Sequence, residues 1–288
     1  MPDEIQSFKV VSSGGLNSTQ NHLYLAEAAS GSATRLVNFE PSLYGGYRRI
    51  EGYGLLGNLD VSVGGSNAEG PVLGLAIYKN EHLGNSYIIA ARKDVGANTY
   101  KLYKFVDLVG WQAITTGFTL ATTANNRTVT KIRHTQFDFG SGSQIIFVDG
   151  VNNAVVFDGT NWYQLNSSNT GGSSSPGGDQ IVNAPSIVEV FENHIFLGGD
   201  VGAKAVVCHS AALDPLNFMH GSGARQLTPG FNVVQIKPFR DDLFIFGINS
   251  IKKASADVTA GFLLDQVTTN VGCVARDSVL EIDSNFTC

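Results

Sequence analysis

The residues that could carry chemistry are few and scattered. Six histidines stand at His22, His82, His134, His194, His209 and His220, and none has the i,i+4 or His-x-Glu spacing that places two metal ligands on one helical face. Cys208-His209-Ser210 sets a thiol beside an imidazole. Neighbours in a strand point to opposite faces, so His209 is not expected to activate Cys208, which reads as a buried thiol. Asp241-Asp242 offers paired carboxylates, and Asp149-Gly-Val-Asn-Asn153 and Asp158-Gly-Thr-Asn161 offer acidic and amide oxygens. None of these has the calcium loop with its closing Glu, and turns account for all three. Trp111 and Trp162 could stack on sugar rings, but their matching places late in two repeated units point to the core. Glu189 and Glu281 occupy related first-strand positions and are the only acids that could form a glycosidase pair. No Gly-x-Ser-x-Gly elbow, phosphate loop or Gly-x-Gly-x-x-Gly placed after a strand is expected. The chain is therefore expected to be no enzyme, with no cofactor and no metal.

Composition narrows the classes further. The 288 residues suit one large domain or two modest ones. Charged residues make up only 15%, against roughly 25% in typical soluble domains, and Ser, Thr, Asn and 33 Gly fill the deficit. A net charge of -6 argues against tight wrapping of nucleic acid or adhesion to an anionic membrane, both of which need concentrated Lys and Arg. Cys208, Cys273 and Cys288 occur singly, so neither a disulfide framework nor a Cys-x-x-Cys pair is available. The longest apolar run, Val72 to Tyr78, is far short of the roughly 20 residues that span a bilayer, and Met1-Pro-Asp-Glu lacks the basic start of a secretion signal. A soluble protein is expected.

The elements that must position these residues are nearly all strands. Short alternating runs rich in Val, Ile, Phe and Tyr are separated by Gly, Asn and Asp. Gln144-Ile-Ile-Phe-Val148, Ala154-Val-Val-Phe157 and Trp162-Tyr-Gln-Leu165 are divided by Asp149-Gly150 and Asp158-Gly159, each a signal for a tight hairpin turn. Only Asn21 to Ala29 has a helix-friendly composition, and it could equally be a loop. An internal repeat is also visible: Phe191-Glu-Asn-His-Ile-Phe-Leu197 matches Phe239-Arg-Asp-Asp-Leu-Phe-Ile245, an aromatic, three polar turn residues and three apolar ones. Similar starts near Leu75, Ile132 and Val279 give units of roughly 50 residues, and two units reach a Trp followed by an apolar residue, Trp111 to Ile114 and Trp162 to Leu165. That is the size of a β-propeller blade.

The expected fold is thus all-β, a propeller of roughly 50-residue blades over residues 61–288, with Trp111, Trp162, Phe191 and Phe239 in the blade core. Residues 1–60 do not follow the repeat and read as an extended N-terminal arm. Residues 166–180, rich in Ser and Gly, read as a flexible surface loop. The fifth unit stops at Cys288, so the ring is expected to be incomplete and the chain the N-terminal part of a longer polypeptide. The alternative is a C-terminal strand that completes the first blade.

The pattern Gly14-Gly-Leu-Asn17, Leu36-Val-Asn-Phe39 and Gly46-Tyr-Arg-Arg-Ile-Glu-Gly-Tyr53 resembles the opening of phage tail nozzle and packaged-DNA stabilisation proteins, the tail tubular family of short-tailed phages. Val188 to Gly199, Cys208-His-Ser-Ala-Ala-Leu-Asp-Pro-Leu-Asn-Phe218 and Phe239 to Phe246 are similar to that family's blade strands and its Ser-x-x-x-Asp-Pro-x-x-Phe connection. Family members generally continue well beyond the equivalent of Cys288. The resemblance implies a structural virion protein without turnover, made in the host cytoplasm. It would assemble as a hexameric ring below the portal and adaptor, touch tail fibre or needle proteins, and retain and then conduct DNA without contacting a membrane. It assigns Arg35, Asn38, Phe39, Arg48, Arg49 and Tyr53 to assembly or arm docking. The competing readings are a carbohydrate-binding or carbohydrate-cleaving propeller used on a host receptor, with Trp111, Trp162, Glu189 and Glu281 as its residues, and a neck or baseplate ring protein.

Overall fold

A computed structural model describes residues 15–19, 31–42, 46–50, 52, 70–82, 84–94, 96–107, 109–140, 142–257 and 261–280. The chain divides into two units, Met1–Leu56 and Gly57–Cys288. In the first, β1 (Phe39–Pro41) and β2 (Tyr47–Arg49) form a two-stranded antiparallel sheet.

The second unit repeats one motif. Its first sheet is β3 (Val72–Asn80), β4 (Asn85–Lys93), β5 (Thr99–Val106) and β6 (Gly110–Ala113), with β7 (Leu120–Ala121) also paired to β5. A small pair, β8 (Thr123–Ala124) and β9 (Arg127–Thr128), leads into the second sheet: β10 (Arg133–Asp138), β11 (Ser143–Val148), β12 (Val155–Phe157) and β13 (Trp162–Gln164). The third is β14 (Ile187–Phe191), β15 (His194–Gly198), β16 (Val207–His209) and β17 (Arg225–Leu227). The fourth is β18 (Gln235–Phe239), β19 (Asp242–Phe246), β20 (Ile251–Asp257) and β21 (Gly261–Thr268). Every pairing in these four sheets is antiparallel, and all but that of β5 with β7 follow chain order. Helix among the described residues is limited to the 3-10 turns His220–Ser222 and Arg276–Ser278. The fold is all-β.

The sheets stack because each strand alternates apolar side chains between two neighbours. One core joins the first and second sheets through Ala76, Tyr78, Ile89, Ile145 and Phe157. A second joins the second and third through Ile146, Val156, Val188, Leu197 and Cys208. A third joins the third and fourth through Ile187, Phe191, Phe196, Ile236, Leu243 and Ile245. Consecutive first strands lie side by side, β3 by β10, β10 by β14 and β14 by β18. Polar ties cross each joint: the Tyr78 hydroxyl donates to Ser143 O and the Tyr100 hydroxyl to Asp149 Oδ2, both at 2.8 Å. Arg127 pairs with Asp200 at 3.2 Å across the next joint, and Lys237 with Glu189 across the last.

After the fourth sheet the backbone crosses the entrances of three sheets as a strap. Cys273 N donates to Gly247 O at 2.8 Å. A Cβ on Gly272 would sit 2.2 Å from that oxygen, so only glycine passes here. Arg276 Nε donates to Val234 O at 2.9 Å and its Nη1 to Ser186 Oγ at 2.7 Å. Asp277 accepts from Arg133 Nε and Lys131 Nζ, both at 3.1 Å.

Several local expectations need correction. The polar turn in the repeat has two residues, since His194 and Asp242 already begin the next strands. Glu192 and Asn193 both take positive φ, 48° and 60°, the backbone of a tight hairpin whose twist matches its strands. The Asp-Gly turns are longer than a two-residue hairpin, because the Asp side chains organise them: Asp149 Oδ1 accepts from Val151 N and Asn152 N, and Asp158 Oδ1 from Thr160 N and Asn161 N. Residues 166–180 are not a free loop. Gly177 N donates to Leu216 O and Phe218 N to Gly177 O, and a Cβ on Gly178 would lie 2.5 Å from Phe218 C. Val279 and Leu280 pair with no strand among the described residues. Asn21 to Ala29, Tyr53, Glu281 and Cys288 lie outside the described residues.

Candidate functional site

Of the residues assigned to arm docking, Phe39, Arg48 and Arg49 lie in the N-terminal hairpin, Asn38 at its start and Arg35 just before it, while Tyr53 is outside the described residues. Asn38 takes φ 59°, a conformation asparagine tolerates better than most residues, and turns the chain into β1, where Ile50 N closes back onto Asn38 O at 2.9 Å. The register sets Phe39 opposite Arg49 and Glu40 opposite Arg48. Arg48 Nε pairs with Glu40 Oε1 at 2.5 Å, whereas Arg35 and Arg49 are exposed, with no carboxylate partner among the described residues. The Tyr47 hydroxyl lies 3.0 Å from Gly15 O and 2.7 Å from Gly31 O and donates to one at a time, anchoring the hairpin to both segments. Phe39, Leu16, Val37 and Ile50 are each about half exposed or more, from 47% to 58%. Exposed apolar side chains thus lie beside guanidinium groups that no carboxylate among the described residues pairs.

The aromatics expected in the core divide by position. Trp162 stacks on Phe157, its cross-strand partner, with centroids 4.3 Å apart and planes at 18°, and packs into the joint between the first two sheets. Phe191 is buried in the last joint. Trp111 meets Phe105 edge-on at 5.5 Å and is half-buried. Its pairing continues through Ile88 to Ile77, and Ile77 is 59% exposed, so among the described residues no sheet covers this face of the first sheet. Phe239 is likewise half-buried, beside Phe244 and under Arg240, on the fourth sheet's face opposite Ile236. The two outer residues are the counterparts of the two inner ones, and a neighbouring sheet makes the difference.

No family model matches this chain, and no curated protein matches it either.

The candidate acids and nucleophiles are held in pairs or buried. Glu189 faces Lys237, and burial pushes its carboxyl up against the pull of that ammonium. Asp242 is held by Ser255 and Lys253, which lower its carboxyl below the usual range, and Asp241 is exposed beside it. Among the described residues no group of three His, Cys, Asp or Glu is placed to hold a metal. Cys208 packs between the second and third sheets, and burial pushes its thiol up to about 12. His209 faces the other way, toward Phe262 at 4.9 Å and His194 at 5.0 Å. His194 and His209 both donate Nδ1–H to Ser210 O, at 2.6 and 2.9 Å. That leaves His209 Nε2 as a buried acceptor with no partner among the described residues.

This arrangement gives a pH prediction. Burial pushes His209 down to about 4, from an unfolded value near 6.5. Between those values the unfolded chain binds a proton that the folded chain does not, so stability falls as pH falls from about 6.5 toward 4, by up to about 3 kcal/mol. Urea unfolding across this range checks it, and His209→Phe should flatten the slope.

Sequence reasoning missed Arg276 and Asp277, whose partners lie up to 146 residues away. No local pattern marks such contacts. It also missed the hollow beside Trp162, which is lined by residues from two sheets and the segment between them.

Proposed function

We propose that the four stacked sheets are blades of a β-propeller and that the chain is a structural component of a phage tail nozzle. In this reading it forms rings of several copies, six by family resemblance, below the portal and adaptor, abuts tail fibre or needle proteins, and belongs to the virion. It retains packaged DNA and then conducts it. What supports the propeller part is the chain-ordered repetition of four-stranded antiparallel sheets whose first strands adjoin, with outer faces that carry the counterparts of buried joint residues. Closing the ring requires further sheets against Ile77 and Trp111 on one side and Phe239 and Phe244 on the other.

The observation that carries the tail reading is the N-terminal hairpin. Its residues bear the family-like pattern, and it exposes Phe39, Val37 and Ile50 next to Arg35 and Arg49, as a docking arm would. A net charge of -6 suits a channel from which DNA must slide freely, since a basic lumen would hold phosphate.

The test is the mass and symmetry of native particles containing this chain, imaged intact. Sixfold rings along a tail axis are expected, and Phe39→Asp with Arg49→Glu should abolish ring formation while leaving the strand-rich circular dichroism unchanged. Particles in which the chain is a free monomer, or in which the double variant assembles normally, overturn the reading.

A further inference from the structure

We infer that the hollow between the first and second sheets is a binding site for a neutral saccharide, one pyranose ring deep. It is a binding site only and does not depend on the tail reading. Phe157 and Ile89 form its floor, Tyr87 and Trp162 its aromatic walls, and Thr115 and Thr160 its rim. Its volume is about 230 Å³, below the roughly 300–1,000 Å³ of sites for drug-sized ligands, which suits a single ring. A wider hollow, sharing Thr115, Thr160 and Trp162 and edged by Asn161, Tyr163 and Ser173, continues from it. That hollow gives the rest of a short chain a place to lie.

The chemistry of the lining selects the ligand. A pyranose has an apolar face of C–H groups and a circumference of hydroxyls, so it needs an aromatic surface and many neutral donors and acceptors. Trp162 has one ring face stacked on Phe157, yet it remains only half-buried. Its indole N–H and the hydroxyls of Thr115, Thr160 and Ser173 make no hydrogen bond to any described residue. These groups are free for a ligand, and a bound hydroxyl would satisfy them. Lys104 is the one charged residue lining the inner hollow, and its ammonium rests over the Tyr87 ring at 5.5 Å. It can donate to a hydroxyl from there without a countercharge. No carboxylate lines either hollow, so the site lacks the acid pair that glycosidic cleavage needs.

The site is also pre-formed. The wall at Trp162 is fixed by its stack, and the rim at Thr160 by the Asp158 turn, in which Asp158 Oδ1 accepts from Thr160 N at 2.8 Å and Asn161 N at 2.6 Å. The Tyr163 hydroxyl donates to Asp158 Oδ2 at 3.0 Å and holds the same carboxylate. A rigid rim keeps the ordering cost of binding small.

The chain has two tryptophans, so Trp111→Phe leaves Trp162 as the only indole reporter. In this background maltotriose, cellotriose and N-acetylchitotriose are titrated and the emission followed, with trigalacturonate as the anionic control. At least one neutral probe is expected to bind with Kd on the order of 1 mM, more tightly than the control. Thr160→Tyr, at an exposed turn position, should fill the hollow and weaken binding at least about tenfold. Because that variant silences no reporter, a folded protein with unchanged emission and no titration is a clear result. Trp162→Phe, read by ligand-observed saturation-transfer NMR, keeps a stacked ring and should weaken binding by removing the indole donor. Absence of any change up to about 20 mM of every neutral probe overturns the inference, as does undiminished binding by Thr160→Tyr or preference for the anionic control.

Discussion

Replacing Arg127 with alanine is expected to destabilise the second unit by about 3–5 kcal/mol, measured by urea unfolding at neutral pH. Arg127 comes from β9 and reaches Asp200, in the connection after β15, at 3.2 Å. The Asp200 side chain is only 8% exposed. The same guanidinium lies 3.4 Å from Gly150 O. Truncation therefore strands a buried carboxylate and takes a donor from the Asp149-Gly150 turn. Most of the loss arises from the stranded charge rather than from the ion pair's own strength, because desolvation offsets much of that strength. The double variant Arg127→Ala with Asp200→Asn separates the two. The amide oxygen still accepts from Gly202 N, as Asp200 Oδ1 does at 2.9 Å, and no charge is left behind. It should recover about half of the stability lost. A double variant no more stable than Arg127→Ala would show that the charge is not what matters.

The second large effect is at the joint between the third and fourth sheets. Phe196 is fully buried, and its ring meets Phe262 at 5.0 Å, His209 at 5.3 Å and Phe191 at 6.3 Å. Phe196→Ala should cost about 3–5 kcal/mol, since rigid strands on both sides cannot close over the hole. Phe239→Ala is the control, with the same chemistry on a half-buried face that no sheet among the described residues covers. It should cost no more than about 1–2 kcal/mol. If the two variants unfold at the same urea concentration, the outer face of the fourth sheet is packed as tightly as the inner one, against a partner.

The fold was legible in the sequence wherever a strand carried its own alternation. Ile145, Phe147, Val156 and Trp162 announced the second sheet, and Phe191 and Phe239 marked the ends of two first strands that the structure places in register with His194 and Asp242. Turn geometry was less legible, since the expected Asp-Gly hairpins are widened by Asp149 and Asp158 bonding their own downstream amides. A side chain competing for local backbone groups is not read from residue type alone. Asn38, Phe39, Arg48 and Arg49 were singled out by a motif within what read as an extended arm, and the pairing of Phe39–Pro41 with Tyr47–Arg49 was not foreseen. The saccharide hollow was not, because Tyr87, Thr115 and Trp162 meet only once two sheets have docked. Trp162 was weighed as core or as a sugar platform, and its geometry permits both: one ring face packs on Phe157 while the indole N–H stays unpaired.

The strap at Gly272 to Leu280 bears on the order of events as the protein is made. Its contacts reach back 90 residues to Ser186 and 144 to Arg133, and such distant closures are slow to find and pay their entropy late. A ribosome releases all four sheets before it releases Arg276. Until then the second, third and fourth sheets meet through their cores, their first strands and ties such as Arg127 to Asp200, without the strap across their entrances. Arg276 and Asp277 then act as a latch that drops after assembly, raising the barrier to opening more than the speed of folding. The nascent array is thus built without its latch and slow to come apart afterwards.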